Sequence, residues 1–278
     1  MNPLRKIVMP GLGVLAVLTF QTLSVAQNGP APGAAPGGPG GAAAPGGAPG
    51  GGGPGFGPGG GGGRGGGGGR SATPDHPHVL APYFAPATAS PKSPDQDGFL
   101  QRWLLLEPIN KPNRGNTVFT DSYVRSAFKT EYFPNQFTVV PHDGDKVTVA
   151  DQELAWHALD SQLFNVKLFR FADGVNKTTY GVIFWAVTVV NCPQEMKNVR
   201  LAVGSNSASQ WWVNDQEAVI LSGDRRMVMD DCVSKRLTLH QGRNIVRGAV
   251  INGPGMSDFC ARFIDENGQP IKGITLEP

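Results

Sequence analysis

Val199 to Val219 reads VRLAVGSNSASQWWVNDQEAV. Val199, Leu201 and Val203 recur at a spacing of two with Arg200 and Ala202 between them, which is the period of a half-buried strand. Gly204 to Ser209 is small and polar, so the chain turns there. Trp211, Trp212 and Val213 resume the apolar run, and Asn214-Asp215 closes it with residues that accept left-handed backbone angles in a tight hairpin. The stretch reads as a hairpin with a polar rim beside a tryptophan, and its apolar face needs a second layer supplied by the rest of the chain.

The flanking sequence supplies strands. Tyr180 to Asn191, YGVIFWAVTVVN, is apolar at both alternating positions, as expected of a central strand covered on both sides. Phe99 to Leu106, Lys146 to Val149, Glu153 to Leu159 and Phe164 to Phe171 read as strands, as do Arg226 to Asp230, Arg236 to His240, Asn244 to Ile251 and Phe259 to Asp265. Turns fall at Gln241-Gly242, Gly253-Pro254-Gly255 and Glu266-Asn267-Gly268. Asp121 to Phe133 is the one helix candidate: Asp121 can cap it, Val124, Ala127, Phe128 and Tyr132 share a face, and Pro134 follows. The pattern predicts an all-β, antiparallel sandwich of jelly-roll type with one short helix over residues 96–278.

Ahead of that domain the chain changes character. Met1 to Ala26 has a basic start at Arg5-Lys6, an apolar run from Ile7 to Phe20 and a small-x-small site at Ser24-Val25-Ala26, the three parts of a secretory signal peptide. The run is shorter than the ~20 residues of a membrane-spanning helix. Residues 27–95 read as a disordered Gly/Pro/Ala-rich linker, because 24 of the 39 glycines fall between Asn28 and Arg70 beside one large apolar residue, Phe56. Such a segment cannot bury enough surface to offset the entropy of ordering. The expected location is outside the cytoplasm: secreted, periplasmic or on the cell surface.

The formal net charge of +2 is misleading, since Arg5, Lys6, Arg64 and Arg70 lie in a stretch without acids; 24 basic residues less these four leaves 20 against 22 acidic ones. A mildly acidic domain without a basic run is a poor partner for nucleic acid. Metal signals are thin. His76 and His78 beside Asp75 have no further ligand nearby, and a structural zinc site usually takes four. Asp95-Gln96-Asp97-Gly98 brings calcium to mind as the only cofactor to consider, but two carboxylates without a bidentate Glu make a turn more readily than a site.

DGFLQRWLLLEPI (97–109), LAVGSNSASQWWVNDQEAV (201–219) and LTLHQGRNIVRGAVINGPGMSDFCARFIDENGQPI (237–271) together resemble the galactose-binding-domain-like jelly rolls attached to secreted bacterial acetylxylan esterases and glycoside hydrolases. Trp212, Asn214, Gly242, Asn244, Arg262 and Phe263 match that pattern. Ser205-Asn206-Ser207-Ala208 stands where the family carries an Asp-Asp-Gly turn, Glu107 replaces a glycine, and Asp215 replaces the hairpin glycine. The resemblance implies a jelly roll and an association with polysaccharide, and its departures weaken any calcium- or sugar-binding role at that turn.

No catalytic constellation is legible. Gly204-Ser205-Asn206-Ser207-Ala208 fails the nucleophile-elbow pattern at its last position. His157 and Asp160 sit close in sequence, but a triad is recognised by spatial geometry; Asp230-Asp231 would place consecutive carboxylates on opposite faces of a strand that ran through both, and His240 precedes a turn. Of the cysteines Cys192, Cys232 and Cys260, a Cys192–Cys232 disulfide is the expected pairing in an oxidising compartment. The candidate binding residues are Trp211, Trp212, Ser205, Asn206, Asn214 and Asp215: one tryptophan faces the core, the other offers its ring to a sugar, and the polar groups bond its hydroxyls. The reading is a non-catalytic carbohydrate-binding or cell-envelope adhesion module whose partner is a polysaccharide or envelope glycan, with a carbohydrate esterase or hydrolase, or a structural envelope protein docking another protein, as alternatives.

Overall fold

β-Branched and aromatic residues fill both faces of Val182–Cys192, and the chain answers that demand with a second sheet on one side and a helical cap on the other. The computed structural model describes residues 77–113 and 115–277. The expected signal peptide and residues 27–76 of the expected linker, with His76 and Asp75, lie outside the described residues.

In chain order the elements are β1 (Phe84–Pro86), β2 (Arg102–Leu106), β3 (Ile109–Asn110), a 3-10 turn (Asn116–Val118), α1 (Asp121–Lys129), β4 (Lys146–Val149), β5 (Gln152–Ser161), α2 (Leu168–Gly174), β6 (Val182–Cys192), β7 (Met196–Ser205), β8 (Ala208–Val213), β9 (Gln216–Leu221), β10 (Cys232–Val233), β11 (Leu237–Leu239), β12 (Gly242–Asn252), β13 (Phe259–Ile264) and β14 (Thr275–Glu277). The larger sheet runs β1-β5-β2-β6-β12-β8-β9, with β4 on β5 and with β3 and β14 on β6. The smaller sheet is β10-β7-β11 with β13 also on β7. Every pairing is antiparallel, and the longest joins all of β6 to β12.

The sheets enclose one core. Phe184, Ala186 and Val190 of β6 meet Leu201 and Val203 of β7 and Phe259, Ala261 and Phe263 of β13. The alternate residues of β6, Ile183, Trp185 and Val187, point to the opposite face, where Val124, Ala127 and Phe128 of α1 cover them with Phe119 and Phe133. These three α1 positions are spaced i, i+3, i+4, the stripe a helix needs to lie on a sheet. The Thr120 hydroxyl caps α1 by accepting from Tyr123 N–H at 3.3 Å, one residue earlier than the cap expected at Asp121.

Several expectations are corrected. Val199–Val219 is not one hairpin: β7 belongs to the smaller sheet and β8 to the larger, so Gly204–Ser207 carries the chain across the sandwich. The true hairpin is β8–β9, whose Asn214-Asp215 turn has φ of 48° and 65°, as the residue types demand. Phe164 to Phe171 is not a strand, because Leu168, Phe171 and Ala172 bury together as one helical face of α2; the fold thus has a second α-helix. Arg226 to Asp230 is irregular, and pairing resumes only at Cys232. Residues 77–95 belong to the fold rather than to a linker: Phe84 is buried, β1 pairs with β5, and Lys92 bridges Leu276.

The expected disulfide is absent, and all the cysteines are free. Cys192 ends β6 beside Asn244, near the start of β7. Cys232 instead opposes Val203, seven residues from Met196 and about 23 Å along the strand at ~3.3 Å per residue. A disulfide needs Cα atoms within about 7 Å.

Candidate functional site

Alternation along β8 separates the tryptophan pair. Ser209, Trp211 and Val213 face the core between the sheets; Ala208, Gln210 and Trp212 face the cap. Trp211 is fully buried. Its ring packs edge-on against Phe259 at 4.9 Å and Trp103 at 5.9 Å, and its Nε1 donates to Ser209 Oγ at 3.0 Å. Trp211 is therefore a core residue and can offer no surface to a ligand.

Trp212 is half-buried and lies parallel to Trp185, centroids 5.8 Å apart and planes 14° from coplanar. Phe137 closes edge-on against both rings, at 6.0 Å from Trp212 and 5.7 Å from Trp185. The rest of Trp212 lines a groove of about 280 Å³ with Phe128, Phe137, Arg125, Lys129, Gln210 and Glu217. Trp185 beneath is fully buried, so the exposed ring rests on a rigid aromatic base.

The polar rim depends on a β-bulge. Gln210 opposes Ile220 and Trp211 opposes Val219, but Trp212 opposes Glu217, so Ala218 is the extra residue on β9. Without that insertion Glu217 would point to the core, because a one-residue slip exchanges the faces of a strand. With it, Glu217 Oε2 accepts from Gln210 Nε2 at 2.8 Å and from Arg125 Nη1 at 2.5 Å. Arg125 also donates to Asp121 Oδ2 at 2.9 Å. Glu217 first, then Asp121, raises the guanidinium pKa further above its ordinary value, so Arg125 stays charged throughout the accessible pH range. The result is an aromatic wall lined by an amide, a carboxylate and a guanidinium bonded to one another, chemistry suited to a small polyhydroxylated ligand.

The other expected binding residues do not converge on this groove. Ser205 is buried and its hydroxyl donates to Ser207 O, while Asn206 N–H donates to Asp258 O at 2.9 Å in the crossover. Asn214 is committed to the turn: its Nδ2 donates to Asn244 Oδ1 at 2.8 Å and its Oδ1 accepts from Ile245 N–H at 2.9 Å. Asp215 is exposed, with Oδ1 3.5 Å from Arg247 Nε. Asn206 and Asn214 lie at opposite ends of β8, about 26 Å apart at ~3.3 Å per residue. Of the named set only Trp212 lines the groove.

Gln210 was within reach of sequence reasoning, since position i−2 shares a strand face with Trp212. Arg125 and Lys129, four apart on α1, share a helix face, but nothing in the sequence ties that face to β8. Glu217 has no sequence signal, because the bulge that turns it outward is invisible in the alternation.

The ionisable pairs noted in the sequence are tied to structural partners. Asp160 accepts from Arg102 Nε at 2.8 Å and Nη2 at 3.0 Å, while His157 Nε2 lies 3.3 Å from Glu107 Oε1. Asp230 pairs with Arg262 and Asp231 with Arg225. Asp95 Oδ1 accepts from the N–H groups of Asp97 at 3.0 Å and Phe99 at 2.8 Å, which makes a turn of the calcium-like motif. Among the described residues no group of three or more His, Cys, Asp and Glu side chains is placed to hold a metal. Asn244 and Arg262, two of the residues that carry the family resemblance, also serve the fold. Asn244 is fully buried and bonds His240 N–H and C=O, each at 2.8 Å; Arg262 lies 4.8 Å over the Phe99 ring.

No family model matches the chain, and no curated protein matches it. Among solved structures, a PA14 sugar-binding domain from an RTX adhesin overlaps 62% of this chain and 94% of its own at 10% identity and a TM-score of 0.34. The PA14 domain of the MpAFP antifreeze protein overlaps 69% of this chain and 95% of its own, at 8% identity and a TM-score of 0.36. A β-glucosidase from Kluyveromyces marxianus overlaps 58% of this chain and 14% of its own, at 18% identity and a TM-score of 0.29. At these TM-scores the overlaps carry no argument about fold or function. Among the described residues no helix is long and apolar enough to cross a membrane.

Proposed function

We propose that the chain is an exported, non-catalytic glycan-binding module, a jelly roll of galactose-binding-like type that takes a sugar ring in the Trp212 groove. The observation that supports it is a half-exposed tryptophan stacked on a buried one, with Gln210, Glu217 and Arg125 held by mutual hydrogen bonds at its edge. An aromatic face of this kind packs on the apolar face of a pyranose while the rim bonds its hydroxyls. The groove is at the small end of ligand sites, which run from roughly 300 Å³ upward, and so suits a ring rather than a chain. Residues 1–26 as a leader and the glycine-rich stretch behind it would deliver the module to the periplasm or cell surface and hold it away from its point of attachment. A non-catalytic role is favoured because His157 faces Glu107 rather than a serine, and the Asp230-Asp231 carboxylates point to different arginines.

The test is titration of the full chain with soluble xylans, glucans, mannans and their monosaccharides, followed by tryptophan fluorescence, with Trp212→Ala and Trp212→Tyr beside the wild type. A saturable change is expected that falls at least about tenfold in affinity, or ~1.4 kcal/mol, in Trp212→Ala and is partly kept in Trp212→Tyr. A folded wild type that responds to no carbohydrate, or a response that survives Trp212→Ala unchanged, overturns the assignment of this groove.

A further inference from the structure

A second region of the surface is built for a longer ligand. Hollows of about 370, 280 and 330 Å³ share their walls: Asn110 and Gln152 line the first two, and Tyr132 lines the second and third. They form one trough that starts at Asn176–Thr178 behind α2, passes β3 and the β4–β5 turn, and ends at Glu131–Pro134 behind α1.

The chemistry of the lining selects among ligand classes. Two of its charged groups are spent on ion pairs: Glu153 with Lys146 at 2.6 Å, and Lys177 with the buried Glu107 at 3.0 Å. Asp151 and Glu131, the remaining charged residues of the walls, are exposed and acidic, so an anionic ligand would be repelled. What is left for recognition is neutral: the exposed amides of Asn110, Gln152 and Asn176 and the exposed hydroxyl of Thr178. Tyr132 stands midway with its ring fixed, since its hydroxyl donates to Ala127 O at 3.1 Å and its N–H to Gln136 Oε1 at 2.9 Å. The walls combine turns, Ala150 among them with φ 53°, with short strand segments at Ile109 and Asn110 of β3 and at Gln152, Glu153 and Leu154 of β5.

From these features we propose that the trough is an extended cleft for a neutral oligosaccharide of several sugar units, with Tyr132 as its stacking surface and the three amides as its hydrogen-bonding floor. The proposal deepens the glycan-binding reading and rests on it, but it names a different site, with no lining residue in common with the Trp212 groove. The side chains of Asn110 and Gln152 are exposed, so their removal leaves the core intact.

Calorimetric titration of the full chain with cellohexaose, xylohexaose and mannohexaose, with the corresponding monosaccharides and with hexagalacturonate, tests it. One neutral hexamer is expected to bind at least tenfold tighter than its monosaccharide, to lose at least tenfold in the Asn110→Ala/Gln152→Ala double variant, and to keep its affinity in Trp212→Ala. Hexagalacturonate is expected not to bind. Hexamer affinity unchanged in the double variant, or equal affinity for hexagalacturonate, overturns the cleft. Loss in Trp212→Ala alone rejects the cleft and keeps the groove, whereas loss in the double variant alone keeps the cleft and rejects the groove. Failure of every hexamer to bind overturns the cleft outright.

Discussion

Replacing Gly248 by alanine asks whether Trp211 is as rigidly held as its packing implies. Gly248 lies directly opposite Trp211 in the β12–β8 ladder. A Cβ there would meet Cζ3 of the indole at 2.3 Å, Cη2 at 2.6 Å and Cε3 at 2.7 Å. The ring cannot swing away, because Phe259 and Trp103 stand 4.9 and 5.9 Å from it on its other sides. Nor can the strand withdraw cheaply, since β12 is bonded to β6 along its whole length and to β8.

Overpacking costs run from about 1 to 3 kcal/mol, and a methyl group set this deep into an immobile ring belongs at the upper end, about 3 kcal/mol. For a fold of roughly 200 residues each kcal/mol moves Tm by about 2–4 °C, so Gly248→Ala should lower it by about 6–12 °C. Calorimetric melting measures this directly, and urea unfolding should show a lower midpoint with an unchanged slope. Trp211→Leu, which vacates the space, should be destabilising alone, yet cost less in combination with Gly248→Ala than the two costs added. A melting point within about 2 °C of wild type for Gly248→Ala would refute the packing argument, and with it the assignment of Trp211 to the core.

Arg102→Met should destabilise by about 3 kcal/mol, the low end for a broken buried pair, because it leaves the largely buried Asp160 carboxylate with Lys92 Nζ at 3.6 Å and removes the 2.6 Å bond from Nη1 to Ser90 O that pins the incoming segment; equilibrium unfolding measures it, and a cost under 1 kcal/mol would sink the idea. Glu107 should make stability fall in acid. Burial alone would raise its carboxyl pKa, but Lys177, the Ala155 N–H and His157 outweigh burial and hold it below the ordinary carboxylate range. A depressed carboxylate stabilises the fold fully above its unfolded pKa and loses that contribution as pH falls through the folded value. Glu107→Gln should therefore flatten the acid limb of the stability profile, and an unchanged limb would contradict the pairing. All the cysteines should count as free thiols by mass after denaturing alkylation. In the native protein Cys260 should react slowest at pH 8, since burial pushes its thiol up to about 11; a mass two hydrogens short would reveal a disulfide that the fold lacks.

The sandwich was legible because its strands repeat at a spacing of two and its turns carry Gly, Asn and Asp. The double-sided apolar pattern of Tyr180–Asn191 even foretold that the central strand is covered on both faces. What the pattern could not show is which strand pairs with which. Val199–Val203 and Ser209–Val213 have the same local period whether they form a hairpin or sit in opposite sheets, and only the burial of Leu201 and Trp211 in one core separates the two. Leu168–Gly174 failed for a related reason, since a short apolar run satisfies both periods and length does not arbitrate. At the site, alternation predicted that one tryptophan would turn inward. It could not say which one, because β8 could equally have been shifted by one residue.

The position of the two hollows follows from the same double-sided strand. Trp185 and Ile183 of β6 need cover on the face away from the smaller sheet, and the segment from Phe119 to Phe137 supplies it. A cap built from one nine-residue helix and its flanking turns cannot reach every edge of the larger sheet. Where it stops toward β8 and β9, Trp212 remains half-exposed beside Phe128 and Phe137. Where it stops toward β3 and the β4–β5 turn, Tyr132 and Asn110 line the trough. At the crossover, by contrast, the Ser205 and Ser207 hydroxyls donate to Ser207 O and Ile251 O and the Asn206 N–H donates to Asp258 O. The groove and the Tyr132 end of the trough are thus margins of the cap, and substitutions along residues 119–137 should alter ligand recognition there while leaving the core between the sheets in place.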